Sequence, residues 1–404
     1  MKRKLLSSLV GILIISFFSY SCSNAFSKQV WTGTWGTSPQ LTEPHNNPPQ
    51  PGLTDNALRQ TVRVSIGGEV LRLHLSNEFS KSEVKINDIY IALSEGGSSI
   101  NASTIKSLTF NGSPEVVIQP GQAIVSDQID FKLNPRTDVS ITINFGKTPD
   151  DITGHPGSRT TSYILAGNQP ESADFSNSIT TDHWYIIKGI DVLASDKGGA
   201  IAIIGNSITD GRGSGTNKQN RWPDILSERL VANPSTANIG VLNMGVGGNC
   251  VLKNCLGPAA VDRFSRDVLE RSGVKWVIIF EAVNDLGGTP DSITAMKVVD
   301  DLIVAYSSMI EKAHAKNMKV YGATITPFGK SFYYQSYREV ARQKLNEWIR
   351  TSGKFDALVD FDLTVRDPED SMTLLPDIHT GDFLHLNEDG YKKMGESVSL
   401  DLFK

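Results

Sequence analysis

The 404 residues carry a formal net charge of −5, with 39% hydrophobic and 21% charged residues, which reads as a globular chain long enough for two domains with substantial cores. No Lys/Arg cluster occurs beyond the first four residues, which argues against a nucleic-acid-binding surface. After the N-terminus no run is long and apolar enough to span a bilayer.

Residues 1–21 read as a targeting signal. Lys2, Arg3 and Lys4 form a positive n-region, residues 5–18 a short apolar h-region, and Ser19-Tyr20-Ser21 supplies small residues around a cleavage site. Removing the segment takes the net charge from −5 to about −8. Cys22 follows directly. The arrangement resembles a bacterial lipoprotein signal, which implies lipidation of Cys22; it departs from that pattern at Ser19, where such signals carry Leu. Of the three cysteines, Cys250 and Cys255 are close enough in sequence to pair, and an unmodified Cys22 would be an odd thiol in an oxidising compartment. Ordinary cleavage that leaves Cys22 as a stray thiol is the alternative. The expected location is the bacterial cell envelope, periplasmic or at the cell surface, with membrane contact only through the lipid anchor.

From residue 24 to 196 the pattern is that of short strands. Residues 62–66 alternate apolar with polar, Gly67-Gly68 marks a turn, and 70–75 resume the alternation as a hairpin would. Further strands are expected at 84–93, 116–118, 129–133, 139–145 and 184–190, with turns at Asn111-Gly112, Pro120-Gly121, Asn134-Pro135 and Pro156-Gly157. Many short strands without an amphipathic helix suggest a sandwich or jelly-roll. Residues 42–52, rich in Pro and Asn, read as a surface loop.

From residue 197 to 404 the pattern changes. Apolar strands are expected at 200–204, 241–244, 276–280, 320–324 and 357–361, and helices at 223–232, 258–271, 292–316 and 334–351. Met296, Val299, Ile303, Tyr306 and Ile310 form an amphipathic stripe. A last helix should start at the N-cap Asn387 and bury Tyr391, Met394, Val398 and Leu402. Strands that are apolar throughout and alternate with helices imply a parallel sheet covered on both faces, with its site at the carboxyl ends of the strands.

At those ends stand residues suited to one chemistry. Gly205-Asn206-Ser207 leaves the first strand in a tight turn that exposes a serine hydroxyl. Such a hydroxyl needs an imidazole to take its proton and a carboxylate to orient that imidazole, and Asp382-Phe383-Leu384-His385 brings both on one loop. Glycine-rich Asn243-Met244-Gly245-Val246-Gly247-Gly248-Asn249 and the amide of Asn284 offer donors for a developing oxyanion.

Taken in order, Gly205-Asn206-Ser207-Ile208-Thr209, Asn243 to Gly248, Val283-Asn284-Asp285 and Asp382-x-x-His385 resemble the four blocks of SGNH (GDSL-like) serine hydrolases. The resemblance implies a flavodoxin-like three-layer α/β domain with a five-stranded parallel sheet, preceded here by an all-β sandwich or jelly-roll-like domain. It implies Ser207 as nucleophile, His385 as base and Asp382 as its orienter. The oxyanion hole would comprise the N–H groups of Ser207 and Gly248 and the side chain of Asn284. No cofactor and no metal are implied. Two departures stand out: Asn206 replaces the usual Asp, and Ala282 replaces the usual Gly of the third block. Upstream, Trp31 to Thr37, Leu73 to Phe79 and Arg221-Trp222-Pro223-Asp224 resemble a bacterial and fungal subgroup with an N-terminal β-domain. Trp31 and Trp35 fit core packing better than sugar stacking. A Cys250–Cys255 disulfide would stiffen the wall beside the oxyanion loop.

The expected activity is hydrolysis of carboxylic, above all acetyl, esters, with cell-wall polysaccharide as the substrate suggested by export and the β-domain. Lipase, arylesterase or lysophospholipase action is one alternative; acyl transfer to a glycan, or glycan binding without catalysis, are others. A metal site formed by His379, Asp382 and His385 fits less well, because it leaves the serine and the glycine loop without a role.

Overall fold

The computed structural model describes residues 28–167 and 175–404; the expected signal segment and Cys22 lie outside them. The described residues before Gly199 form antiparallel sheets. One runs in the order Gln29–Gly36, Ile187–Ser195, Gly68–Asn77, Ile129–Leu133. A second takes in Ser162–Leu165, Ala57–Arg63, Asp138–Phe145 and Val84–Gly96, and a small third joins Trp184–Tyr185, Thr153–His155 and Gln40–Leu41. The alternation seen in the sequence does its expected work here: Leu71, Leu73 and Leu75 of one sheet share a buried core with Ile89, Ile91, Ile141 and Ile143 of the other. The Asn111-Gly112 turn has both central residues at positive φ, 52° and 81°, the geometry a two-residue hairpin favours.

The expected hairpin at 62–75 is not one. Ala57–Arg63 pairs with Asp138–Phe145 and Ser162–Leu165, whereas Gly68–Asn77 pairs with Ile187–Ser195, Gln122–Val125 and Ile129–Leu133. Gly67-Gly68 therefore carries the chain from one sheet to the next. Alternation identifies both strands but is silent on partners, and each strand buries its apolar face across the core rather than beside its sequence neighbour.

The C-terminal part is a five-stranded parallel sheet, ordered Ile239–Gly245, Gly199–Gly205, Val274–Phe280, Lys319–Ala323, Ala357–Val359. In chain order this is 2-1-3-4-5, the flavodoxin-like arrangement. Both faces are covered. Ala202, Ile204, Val277 and Ile279 pack with Val299, Leu302 and Tyr306 of the helix Ser292–His314. Ile201, Ile203, Ile278 and Phe280 pack with Trp222 and Leu226 of Trp222–Ala232 and with Tyr391 and Met394 of Glu388–Ser397. That is why these strands lack alternation.

Three element expectations need correction. The helix expected over 258–271 is a short one, Ala260–Phe264, followed by a wider π turn, Ser265–Leu269, and Arg263 and Asp267 are both buried there. The last helix, capped by Asn387 as expected, ends at Ser397, and Leu402 sits in a separate turn, Leu400–Phe403. The fifth strand stops at Val359, because Asp360 caps a short helix, Phe361–Val365.

The two parts meet along the edge strand Ile239–Gly245. Strand Gln29–Gly36 lies so close that a Cβ at Gly33 would stand 2.8 Å from Leu242 Cδ1, and one at Gly36 2.6 Å from Met244 Cε. Those glycines give the Trp31 to Thr37 motif its physical reason. Ser65 Oγ accepts the Val241 N–H at 3.0 Å, so this sheet edge is partly satisfied by the β-region.

Candidate active site

The residues picked from the sequence converge above the carboxyl end of the parallel sheet. Gly205 closes the first strand, and Asn206 in extended backbone accepts the Ile208 N–H on its side chain at 3.1 Å. This cap starts the helical turn Ser207–Asp210 and sets Ser207 at its first position, with its N–H unclaimed inside the helix. Ser207 Oγ stands 2.9 Å from His385 Nε2, and His385 Nδ1 stands 2.6 Å from Asp382 Oδ2. A carboxylate opposite Nδ1 fixes the ring proton there and leaves Nε2 to accept from the serine. The other oxygen of Asp382 accepts the N–H groups of Leu384 and His385 at 3.0 and 2.9 Å, so one carboxylate folds the loop and orients the imidazole.

Burial would raise the Asp382 carboxyl, but the His385 side chain and the two backbone N–H groups hold it down at about 2. His385 is only 4% exposed, and burial pulls its pKa below 6.5 against the upward effect of Asp382. Arg212 and Arg159 add to the downward push. The imidazole is thus kept neutral, with Nε2 free to accept a proton.

Gly248 lies on the opposite wall with φ 66° and with Leu256 so near that a Cβ would meet Leu256 Cδ1 at 2.8 Å, so only glycine fits without strain. Asn284 spends one amide hydrogen on Asn249 O at 2.7 Å, and its carbonyl accepts from Tyr333 OH at 2.8 Å; the second amide hydrogen remains. Tyr333, which locks that amide, carries no motif and was not foreseen. Cys250 and Cys255 are joined, with Cα atoms 5.6 Å apart, and Asp285 accepts the N–H groups of Val251 and Leu252 at 2.9 and 3.0 Å. Asn249, in turn, reaches around the loop to Pro258 O at 2.7 Å. Ala282, in place of the usual glycine, takes φ 86°, a conformation that L side chains resist.

Beneath the site lies a buried ionic network. Arg263 donates to Met244 O at 2.7 Å and Gly205 O at 3.1 Å, to the Asn249 side chain at 2.9 Å, and to Glu281 and Asp267 at 3.3 Å each. Glu281 also accepts from Asn206 at 3.3 Å. Burial pushes the Glu281 carboxyl up to about 8, against the pull of Arg263. Asn206 is therefore matched to its surroundings: a carboxyl group, that of Glu281, already sits beneath the Ser207 turn. Asp267, fully buried, is held ionised well below the usual carboxylate range, because Arg266 and Arg263 outweigh its burial.

The β-region reaches into this assembly. Ser38 donates to Asp267. His155 has its Nδ1 2.9 Å from Ser38 O, which can only accept, and its Nε2 2.8 Å from Asp210 Oδ1. The pair, 4% and 3% exposed, braces the turn that carries Ser207.

Ser207, Gly248, Asn284 and His385 open onto a cleft of about 440 Å³. The β-region supplies Gln40, Glu43, His45, Asn46, Arg159 and His183 to its lining. The loop expected over 42–52 is thus a cleft wall. Phe332, 70% exposed, stands at the rim beside Tyr333. Trp35 is buried edge-on against Trp184, and Trp31 lies beneath Arg72; neither lines the cleft. His379 accepts the Gly381 N–H at 3.0 Å and packs on Phe383. Among the described residues no three His, Cys, Asp or Glu side chains gather as metal donors.

Residues 203–393 match the GDSL-like Lipase/Acylhydrolase family. Among curated proteins none matches the chain. Solved structures similar to it include a member of the lipolytic protein G-D-S-L family from Veillonella parvula, 21% identical over 50% of this chain and 97% of that one, with a TM-score of 0.36. A catalytic mutant of Axe2, an acetylxylan esterase from Geobacillus stearothermophilus, is 18% identical over 49% and 91%, with a TM-score of 0.38. The acetyl xylan esterase AlAXEase is 21% identical over 49% and 96%, with a TM-score of 0.36.

Replacing Arg263 by Met should cost about 3 kcal/mol or more, because Asp267 would stay buried with less compensation. Denaturant unfolding of Arg263→Met beside the parent checks this.

Proposed function

Residues 203–393 form a domain of the GDSL-like lipase/acylhydrolase family, and on that premise we propose that the protein is an exported serine esterase with Ser207 as nucleophile, His385 as general base and Asp382 as its orienting carboxylate. The observation that carries this reading is the unbroken relay from Ser207 Oγ through His385 to Asp382, at 2.9 and 2.6 Å, on the floor of a cleft.

In the first step Ser207 Oγ attacks the acyl carbon as His385 Nε2 takes the hydroxyl proton. The resulting oxyanion rests on the N–H groups of Ser207 and Gly248 and on the remaining amide hydrogen of Asn284. The ester C–O bond breaks, and His385 passes its proton to the departing alcohol. Water, deprotonated by His385, then attacks the acyl carbon, the acyl–Ser207 bond breaks as His385 returns the proton to Ser207 Oγ, and the carboxylic acid leaves. The five groups belong to the chain itself, and no step calls for a cofactor.

For the substrate we propose acetyl esters on a cell-wall polysaccharide. The polar side chains of Gln40, His45, Asn46 and His183 along the cleft suit sugar hydroxyls better than an acyl chain. The N-terminal signal read from the sequence would deliver the enzyme, held by lipidated Cys22, among such polymers.

Ser207→Ala should lower p-nitrophenyl acetate hydrolysis by about 10³-fold or more and abolish labelling by a fluorophosphonate; parent-like turnover in that variant would refute the assignment. Gly248→Ala, which burdens both backbone and donor, should lower kcat by about tenfold to a hundredfold in steady-state assays. The pH profile follows from the depressed imidazole. Only neutral His385 accepts a proton, so kcat/KM should rise with pH through an inflection below 6.5 and stay level above it. Activity measured from pH 4 to 8 reads that inflection.

A further inference from the structure

The side chains of two arginines in the cleft make no hydrogen bond to the relay, although their charge lowers the His385 pKa through space. Arg159 comes from the β-region, at a backbone φ of 50° that a residue with a side chain adopts only when its surroundings impose it. The surroundings are the hydrolase domain. Arg221 donates to Ser158 O, Asn217 N–H donates to Arg159 O at 3.0 Å, and Asn217 Oδ1 accepts from Thr161 N–H at 2.8 Å. Arg159 is therefore clamped on both sides, and its Nε is buried without a hydrogen-bond partner among the described residues.

Arg212 is reached from the other direction. Its N–H donates to Ser207 O at 2.9 Å and its carbonyl accepts from Tyr391 OH at 2.7 Å, which fixes the backbone one turn beyond the nucleophile. Its side chain is exposed. Neither guanidinium has an ion-pair partner among the described residues, although both line the cleft with Ser207 and His385. Each negative group on the same lining already has at least one partner, although Asp210 Oδ2 is buried without one among the described residues. Glu43 accepts from Gln40 and Asn46 at 2.8 and 3.1 Å, and Asp210 faces His155.

Two guanidinium groups without ion-pair partners, on backbone held beside a reacting centre, present positive charge that an entering anion would pair with. Guanidinium forks favour the planar oxygens of a carboxylate. The remaining lining is polar, and the exposed ring of Phe332 at the rim offers a face on which a sugar can lie.

We propose that Arg159 and Arg212 form a carboxylate-binding subsite, and that the ester cleaved at Ser207 sits on a hydroxyl of an acidic, uronate-type glycan rather than a neutral one. The substrate class rests on the esterase reading of the same site. The subsite itself rests on the two arginines alone. It adds no chemical step: the carboxylate is held while the neighbouring ester is cut, and the alcohol leaves with its proton as before.

The test measures acetate release from O-acetylated oligogalacturonate and from its carboxyl-reduced counterpart, which carries CH₂OH where the carboxylate was. The acidic form should be favoured by about tenfold or more in kcat/KM, chiefly through KM, with the preference shrinking as NaCl is raised. Arg159→Gln and Arg212→Gln should each reduce that ratio, the double variant should bring it to about one, and the lysine variants should restore part of it. A parent ratio near one, a ratio unchanged in the double variant, or faster cleavage of a lysophospholipid than of the acidic glycan would overturn the proposal. Calorimetric binding of trigalacturonate and its reduced counterpart to the parent protein separates the two readings. Selective binding of the acid without Ser207-dependent hydrolysis of any ester would sink the esterase and keep the subsite; equal binding of the two would sink the subsite.

Discussion

The guanidinium of Arg263 is the point on which the site's geometry depends. Its donors reach the carbonyl that ends the first strand, the carbonyl near the end of the second, the side chain of Asn249 and the carboxyl of Glu281 at the end of the third. Each of those positions lies within a few residues of a group proposed to act on the ester: Ser207, Gly248 or Asn284. A parallel sheet brings strand ends together but leaves the loops beyond them free to wander. A planar, always-charged fork, desolvated and saturated with acceptors, holds three of them in one frame. Burying that charge is costly, and the cost is offset because Asp267 is ionised beside it and the carbonyl groups satisfy the remaining donors.

The same network removes any sharp distinction between a hydrolase and an appended β-region. Ser38 touches Asp267, His155 touches Asp210, and Arg271 of the α/β part donates to Thr37 O at 2.8 Å. Glycines at 33 and 36 let the two parts approach to van der Waals contact over Leu242 and Met244. The β-region thus closes one wall of the cleft and braces the turn that carries Ser207.

Much of this was legible in the sequence, for a physical reason. Uniformly apolar strands and a three- and four-residue stripe from Met296 to Ile310 can hardly be buried except in a two-faced parallel sheet, and the four motif blocks gain meaning from their order. Ser207 and Asp382, chosen on that order with His385, each stand within hydrogen-bond distance of it. What escaped was everything set by tertiary contact alone. Arg263 and Glu281 look like ordinary charged residues until they are buried together. Tyr333 belongs to no motif. The Gly67-Gly68 turn reads as a hairpin because local pattern does not encode which sheet a strand joins. The loop over 42–52 was recognised as a loop, but nothing in its Pro and Asn content says that it lies over a serine more than 150 residues away.

That loop has an evolutionary implication. Glu43, His45 and Asn46 line the cleft, yet among the described residues no hydrogen bond or ion pair joins their side chains to Ser207, His385, Asp382, the glycine turn or Arg263. Drift at these three positions can therefore change the surface that a substrate would meet without disturbing the hydrogen bonds that join Ser207, His385 and Asp382.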